Sequence, residues 1–218
     1  RFKRVNIHYL YPNIEGEIEG FFRPRPVNTL SLVDLKNIFQ ITKKDYLNKK
    51  VLIIGGSRGL GSCAAKLIAM KGGTLTITYN KGFKEANVLK QEINNFGIEC
   101  SIYKYDIFSK ENNFISNSKF DQLYYFASPR IKANKNENID KDLLRIYQSY
   151  YFEGFKRLIN LTKNCGIKRI FYPSTIYIDK KTLGFKEYIL AKIEGEEFCD
   201  YINQKNKNIK ILKPRLPK

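Results

Sequence analysis

The segment Val51–Gly72, VLIIGGSRGLGSCAAKLIAMKG, sets a short β-branched run directly before glycines spaced G-x-x-x-G-x-G, and then a run of small and apolar residues. Few architectures let a strand turn at once into a helix, because the turn needs backbone angles closed to most side chains. Gly55, Gly59 and Gly61 supply them. Their missing side chains also let a phosphate approach the amides of the helix's first turn, where the helix dipole favours negative charge. Gly61 further lets the helix pack closely on its strand. A plain strand–helix turn would use one or two glycines, so this spacing points to a pyrophosphate-bearing ligand.

The rest of the chain repeats the strand–helix unit. Strands are expected at 51–54, 74–79, 99–105, 121–126, 168–173 and 208–213, and helices near 60–71, 83–96, 139–165 and 186–204. Strands separated by helices imply right-handed crossovers and a parallel sheet covered on both faces, an α/β doubly wound fold. KANKNENIDK (132–141) reads as an exposed polar loop. Residues 1–49 fall outside the alternation. RVNIHYLY and EGEIEGFFR around Pro-Asn suggest a β-hairpin, RPRPV an extended stretch, and SLVDLKNIFQI a short amphipathic helix capped by Ser31. The expected division is therefore an N-terminal extension or upstream tail at 1–49 and a ligand-binding domain at 50–218. Apolar arm residues such as Ile7, Tyr9, Leu10, Ile18, Phe21 and Phe22 are expected to pack on that domain or on a second copy of the chain.

Composition narrows the function. The net charge is +18, but the basic residues are dispersed, with no Lys/Arg block longer than three. That spread suits attraction of small anions better than a nucleic-acid surface. Cys63, Cys100, Cys165 and Cys199 form no C-x-x-C pair and read as reduced thiols of a cytoplasmic protein. His8 is the sole histidine, which argues against a histidine metal site or a Ser-His-Asp triad. No apolar run approaches the ~20 residues that span a bilayer. The Arg1 start and KPRLPK end are expected of a piece of a longer polypeptide, with the C-terminal part of the domain missing.

Further motifs follow the glycines in order. YKYDIF brings Asp106 to the end of the third strand, FYPST brings Ser174 to the end of the fifth, and YILAK supplies Tyr188-x-x-x-Lys192 on the following helix. Together with the glycine spacing, over residues 50–213, these resemble the short-chain dehydrogenase/reductase superfamily. The resemblance implies a Rossmann-like sheet of order 3-2-1-4-5-6 that binds a nicotinamide dinucleotide. It implies Ser174, Tyr188 and Lys192 as catalytic residues, and Asp106 on the adenine ring. It also implies a cofactor surface of Gly55, Ser57, Arg58, Gly59, Leu60, Gly61, Asn80, Lys81, Asp106, Ala127 and Lys192. Residues i and i+4 share a helix face, so the Lys192 ammonium is expected to lower the pKa of the Tyr188 phenol and poise it for acid/base work.

Three positions depart from the family pattern. FASPR (126–130) replaces an Asn-Ala-Gly-like segment. Tyr151 stands where the family keeps a water-organising Asn. Ser174 lies one residue further from Tyr188 than usual, which makes Thr175 a rival. No acid follows the second strand until Glu85, and Arg58 and Lys81 lie where a 2′-phosphate would be held, so NADP is expected over NAD. The reading is a reductase of a small carbonyl substrate, with a 3-ketoacyl thioester as one candidate and an oligomer or upstream domain as partner. The alternatives are an epimerase or dehydratase of the same superfamily, favoured by YILAKIEGE, and a non-catalytic dinucleotide-binding scaffold.

Overall fold

A computed structural model describes residues 3–11, 14–22, 30–39, 44–110, 112–134, 136, 138–180 and 182–217. β1 (Lys3–Tyr11) and β2 (Ile14–Phe22) pair antiparallel with Ile7 opposite Ile18, the hairpin expected from their alternation. The Pro-Asn turn and the RPRPV stretch lie outside the described residues, as do the hairpin side chains whose packing was expected. α1 (Leu32–Ile38) begins with a capping box: the Ser31 side chain accepts from the Asp34 N–H, and the Asp34 carboxylate accepts from the Ser31 N–H at 3.1 Å. Its Leu32 and Leu35 are buried in the same apolar cluster as Val51, Ala65 and Ile77. The buried Lys66 donates to the Leu30 carbonyl at 2.8 Å and pairs with Glu92, which also accepts from the Leu32 N–H. The segment from Leu30 to Leu35 is thus tied to the core it shares with the sheet.

That core is built on β3 (Lys50–Ile54), whose Val51, Leu52, Ile53 and Ile54 are all 0% exposed. A run apolar on both faces suits a central parallel strand. The other elements follow in order: α2 (Gly59–Met70), β4 (Thr74–Tyr79), α3 (Phe83–Asn95), β5 (Cys100–Lys104), α4 (Asn113–Ser116) and β6 (Gln122–Tyr125). Then come α5 (Lys141–Gln148), a π-helical turn (Ser149–Gly154), α6 (Phe155–Leu161), β7 (Arg169–Phe171), β8 (Ser174–Thr175) and α7 (Tyr177–Lys180). α8 (Lys186–Lys205), β9 (Lys210–Leu212) and β10 (Arg215–Leu216) complete it. The six-stranded sheet runs β5-β4-β3-β6-β7-β9, all parallel, which is the expected order 3-2-1-4-5-6. Leu52 and Ile54 face a cluster with Phe155, Leu158 and Cys199, while Val51 and Ile53 face α2 and α3.

Two details differ from the sequence reading, both near the carboxyl ends of the strands. The helix expected over 139–165 is interrupted by the π turn. The hydroxyls of Tyr125 and Tyr172, reaching up from the sheet, donate to the Tyr150 and Tyr151 carbonyls at 2.7 and 2.8 Å and compete with the helical ladder there. The fifth and sixth strands also break at Pro173 and Pro214, which lack the N–H a ladder needs. Each resumes for two residues, so β8 and β10 form a separate parallel pair, Ser174 beside Arg215 and Thr175 beside Leu216.

Candidate functional site

A cleft of about 1050 Å³ opens at the carboxyl ends of the strands, where β3 and β6 lead their connections in opposite directions. One end is the glycine turn. Gly55 and Gly59 have φ of +73° and +58°, and a Cβ on Gly59 would point into open space. Gly61 is needed for another reason: a Cβ there would lie 2.4 Å from the Gly55 carbonyl oxygen. No side chain caps α2, and none caps α3, whose N-cap is Gly82, so the first-turn amides of both helices stay available to anions. Ser57, Arg58, Leu60, Asn80, Lys81 and Ala127 line the cleft with the glycines. Arg58 reaches over Gly82 and lies 3.9 Å from Glu85, an exposed pairing of little energy. The Tyr105 hydroxyl on the same cleft wall is buried and has no partner among the described residues. An extended, phosphate-bearing ligand fits these features.

Asp106 does not join this set. Its carboxylate accepts from the Phe108 N–H at 3.0 Å and closes its own turn, leaving Tyr105 and Ile107 as the cleft-lining neighbours.

The other end of the cleft gathers Tyr188, Lys192, Ser174 and Thr175, all buried. Strand alternation separates the two hydroxyls. Ser174 donates to Glu196 at 2.5 Å, away from Tyr188, whereas Thr175 hydrogen-bonds the Tyr188 hydroxyl. Of the two hydroxyls, Thr175 is the one placed beside the phenol. The phenol is not acidified as expected. Burial raises the Tyr188 pKa, the Thr175 bond lowers it, and Tyr177 and Tyr147 raise it further. Lys192 instead donates to the Pro173 carbonyl at 2.6 Å, and its own pKa falls to about 7 through burial. Tyr147, Tyr151 and Tyr177 stand edge-on around Tyr188, with centroids 5.5–6.3 Å away.

Two carboxylates on α8 brace this end, and neither was singled out from the sequence. Glu187, 1% exposed, accepts from the Asn134 side chain at 2.7 Å and the Asp140 N–H at 2.8 Å, tying the polar loop to the start of α8. Glu196 accepts from Ser174 and from Arg215 at 2.9 and 2.6 Å, and Arg215 also pairs with Asp179. That holds β10, and with it the cleft-lining Leu216 and Pro217, beside β8. The spacing Tyr188, Lys192, Glu196 marks one helix face in steps of four, which was the available signal.

Burial pushes both carboxyls up, but their hydrogen bonds, and for Glu196 the Arg215 and Lys213 charges, outweigh it and leave both below 4.5. A depressed folded pKa stabilises the fold above the unfolded value and loses that contribution as pH falls through the folded one. The thermal midpoint is therefore expected to drop as pH falls below the ordinary carboxylate range and through the lowered folded values, and Glu196→Gln to flatten that drop. An unchanged pH profile in melting experiments on the variant would remove Glu196 from the account.

Comparison with known proteins accords with this geometry. The sequence profile of the NAD dependent epimerase/dehydratase family matches residues 51–217. No curated protein matches the chain by sequence. FolM alternative dihydrofolate reductase 1 from Brucella suis, solved in complex with NADP, superposes with a TM-score of 0.70 at 17% identity, over 78% of this chain and 74% of that one. A short chain dehydrogenase from Burkholderia cenocepacia in complex with NADP gives 0.67 at 18% identity, over 76% and 71%. A dehydrogenase/reductase from Sinorhizobium meliloti gives 0.68 at 18% identity, over 82% and 76%. At such identities these establish a shared fold.

Proposed function

Because the chain belongs to the NAD-dependent epimerase/dehydratase family, we propose that it transfers hydride between a nicotinamide dinucleotide, preferably NADP(H), and a secondary alcohol or ketone, through Thr175, Tyr188 and Lys192. The observation that carries this reading is the pairing of Thr175 with Tyr188, set with Lys192 in a cleft whose far end is an uncapped glycine turn. The turn from Gly55 to Gly61 would hold the pyrophosphate, with Arg58 and Lys81 beside the uncapped start of α3 for a 2′-phosphate. The nicotinamide, when bound, supplies or accepts the hydride.

The protein side of the reaction is proton handling. A phenol held above its ordinary pKa keeps its proton near neutral pH, so Tyr188 suits protonation of a carbonyl oxygen and hence reduction. Thr175 holds the same oxygen by a hydrogen bond, and the Lys192 charge offsets the negative charge that grows on it. The aromatic wall of Tyr147, Tyr151 and Tyr177 keeps water from the phenol.

Two single variants separate the candidate hydroxyls. Thr175→Ala is expected to cost about 10²-fold in NADPH-dependent reduction. Ser174→Ala, assayed on the same carbonyl panel, mainly lowers the melting temperature. The reverse ranking would reinstate Ser174 and overturn this assignment.

A second reading has its own observation, the family profile over 51–217. On it, the same residues oxidise a substrate transiently and return the hydride, with no net cofactor turnover. Dinucleotide retained through purification, with isomerisation or dehydration and no NADPH consumption, would favour that reading.

A further inference from the structure

Lys192 is enclosed on three sides. The Pro173 carbonyl accepts its hydrogen bond at 2.6 Å, and the ring faces of Tyr151 and Tyr172 lie 3.9 and 4.8 Å from its Nζ. Both rings are themselves held. The Tyr172 hydroxyl donates to the Tyr151 carbonyl, and the Tyr151 and Ser128 hydroxyls bond at 2.6 Å. On α8, a Cβ at Gly195 would strike the Tyr172 hydroxyl at 2.0 Å, so the helix carrying Lys192 reaches this depth only with glycine there. Among the described residues no carboxylate pairs with Lys192, since Glu196, one turn along, is taken by Ser174 and Arg215.

We propose that Tyr151 and Tyr172 form an aromatic clamp that keeps the Lys192 ammonium charged and in place at the cleft, which makes Tyr151 a positioning residue. The electron-rich faces of two rings attract a cation most strongly where water is excluded. The π turn serves this arrangement, for it presents both Tyr150 and Tyr151 to the cleft from consecutive positions. Burial works against the charge, and the two ring faces work against burial. The groups facing Lys192 are Tyr188, Glu196 and Cys199 on its own helix, Tyr151 on the π turn and Tyr172 after β7, with Arg215 of β10 behind Glu196. Of these, Glu196 and Cys199 raise its pKa, and burial lowers it more. The clamp stands on the geometry alone, and its catalytic consequence rests on the proposed function.

The test changes the ring's charge distribution without changing its shape. In the full chain with 13Cε-labelled lysine, the Lys192 resonance is identified by its loss in Lys192→Arg and titrated by NMR. Tyr151→Phe is expected to titrate within a few tenths of a pH unit of the unsubstituted protein. The same ring carrying three fluorines, introduced at position 151, is expected to titrate about one pH unit lower. Because fewer ammonium groups then survive at alkaline pH, the alkaline limb of turnover moves down by the same amount. Identical titrations for the fluorinated and unfluorinated rings would overturn the clamp. A shifted lysine in a protein that reduces no carbonyl keeps the clamp and refutes the catalytic reading.

Discussion

Tyr188→Phe is expected to lower carbonyl reduction by about 10²–10⁴-fold, the range for loss of a general acid, while affinity for NADPH barely changes. The substitution keeps a ring edge-on to Tyr147, Tyr151 and Tyr177 and preserves the packing of α8. What it deletes is the phenol hydroxyl beside Thr175, the group proposed as the proton donor. The glycine turn at Gly55–Gly61, proposed to hold the phosphates, lies at the other end of the cleft, so cofactor affinity is expected to stay unchanged. Single-turnover assays with NADPH and a fluorescence titration of the same cofactor separate the two effects. Retained turnover would sink the mechanism and leave the fold untouched.

Gly61→Ala is expected to act at the opposite end, lowering NADPH affinity on the order of 10²-fold and melting temperature as well. Its Cβ would lie 2.4 Å from the Gly55 carbonyl oxygen and 2.9 Å from the Gly56 Cα, both backbone atoms that no rotamer change can move aside. The start of α2 must therefore retreat from the turn. Overpacking of this kind costs typically 1–3 kcal/mol. The retreat also carries the first-turn amides away from where phosphate oxygens would sit. Differential scanning calorimetry and cofactor titration on the variant check the two parts, and an unchanged dissociation constant would show that the turn holds no phosphate.

The parallel-sheet order could be read from the chain because its signals are local. Apolar runs such as Val51–Ile54, the glycines after them and the amphipathic pattern of Phe83–Asn95 each speak of one element. The right-handed crossover rule then leaves few ways to connect them. The same locality made Tyr188 and Lys192 visible, as two positions on one helix face.

What escaped that reading depends on contacts between distant segments. Ser174 and Thr175 are neighbours in sequence, and spacing to Tyr188 does not separate them. The pairing of β8 with β10 and the Arg215–Glu196 contact turn Ser174 inward and leave Thr175 for the phenol. The π turn arises because Tyr125 and Tyr172, far away in the chain, bond to its carbonyls. The sign of the Tyr188 shift followed suit. A lysine four residues along suggests an acidified phenol, yet that lysine is turned to Pro173 and two rings, and burial outweighs it. Periodicity along one segment is enough to assign a strand, a helix or a shared face. The direction of a hydroxyl or the charge of a buried amine is set by which polar and aromatic groups other segments bring within a few ångströms, where electrostatics and desolvation act.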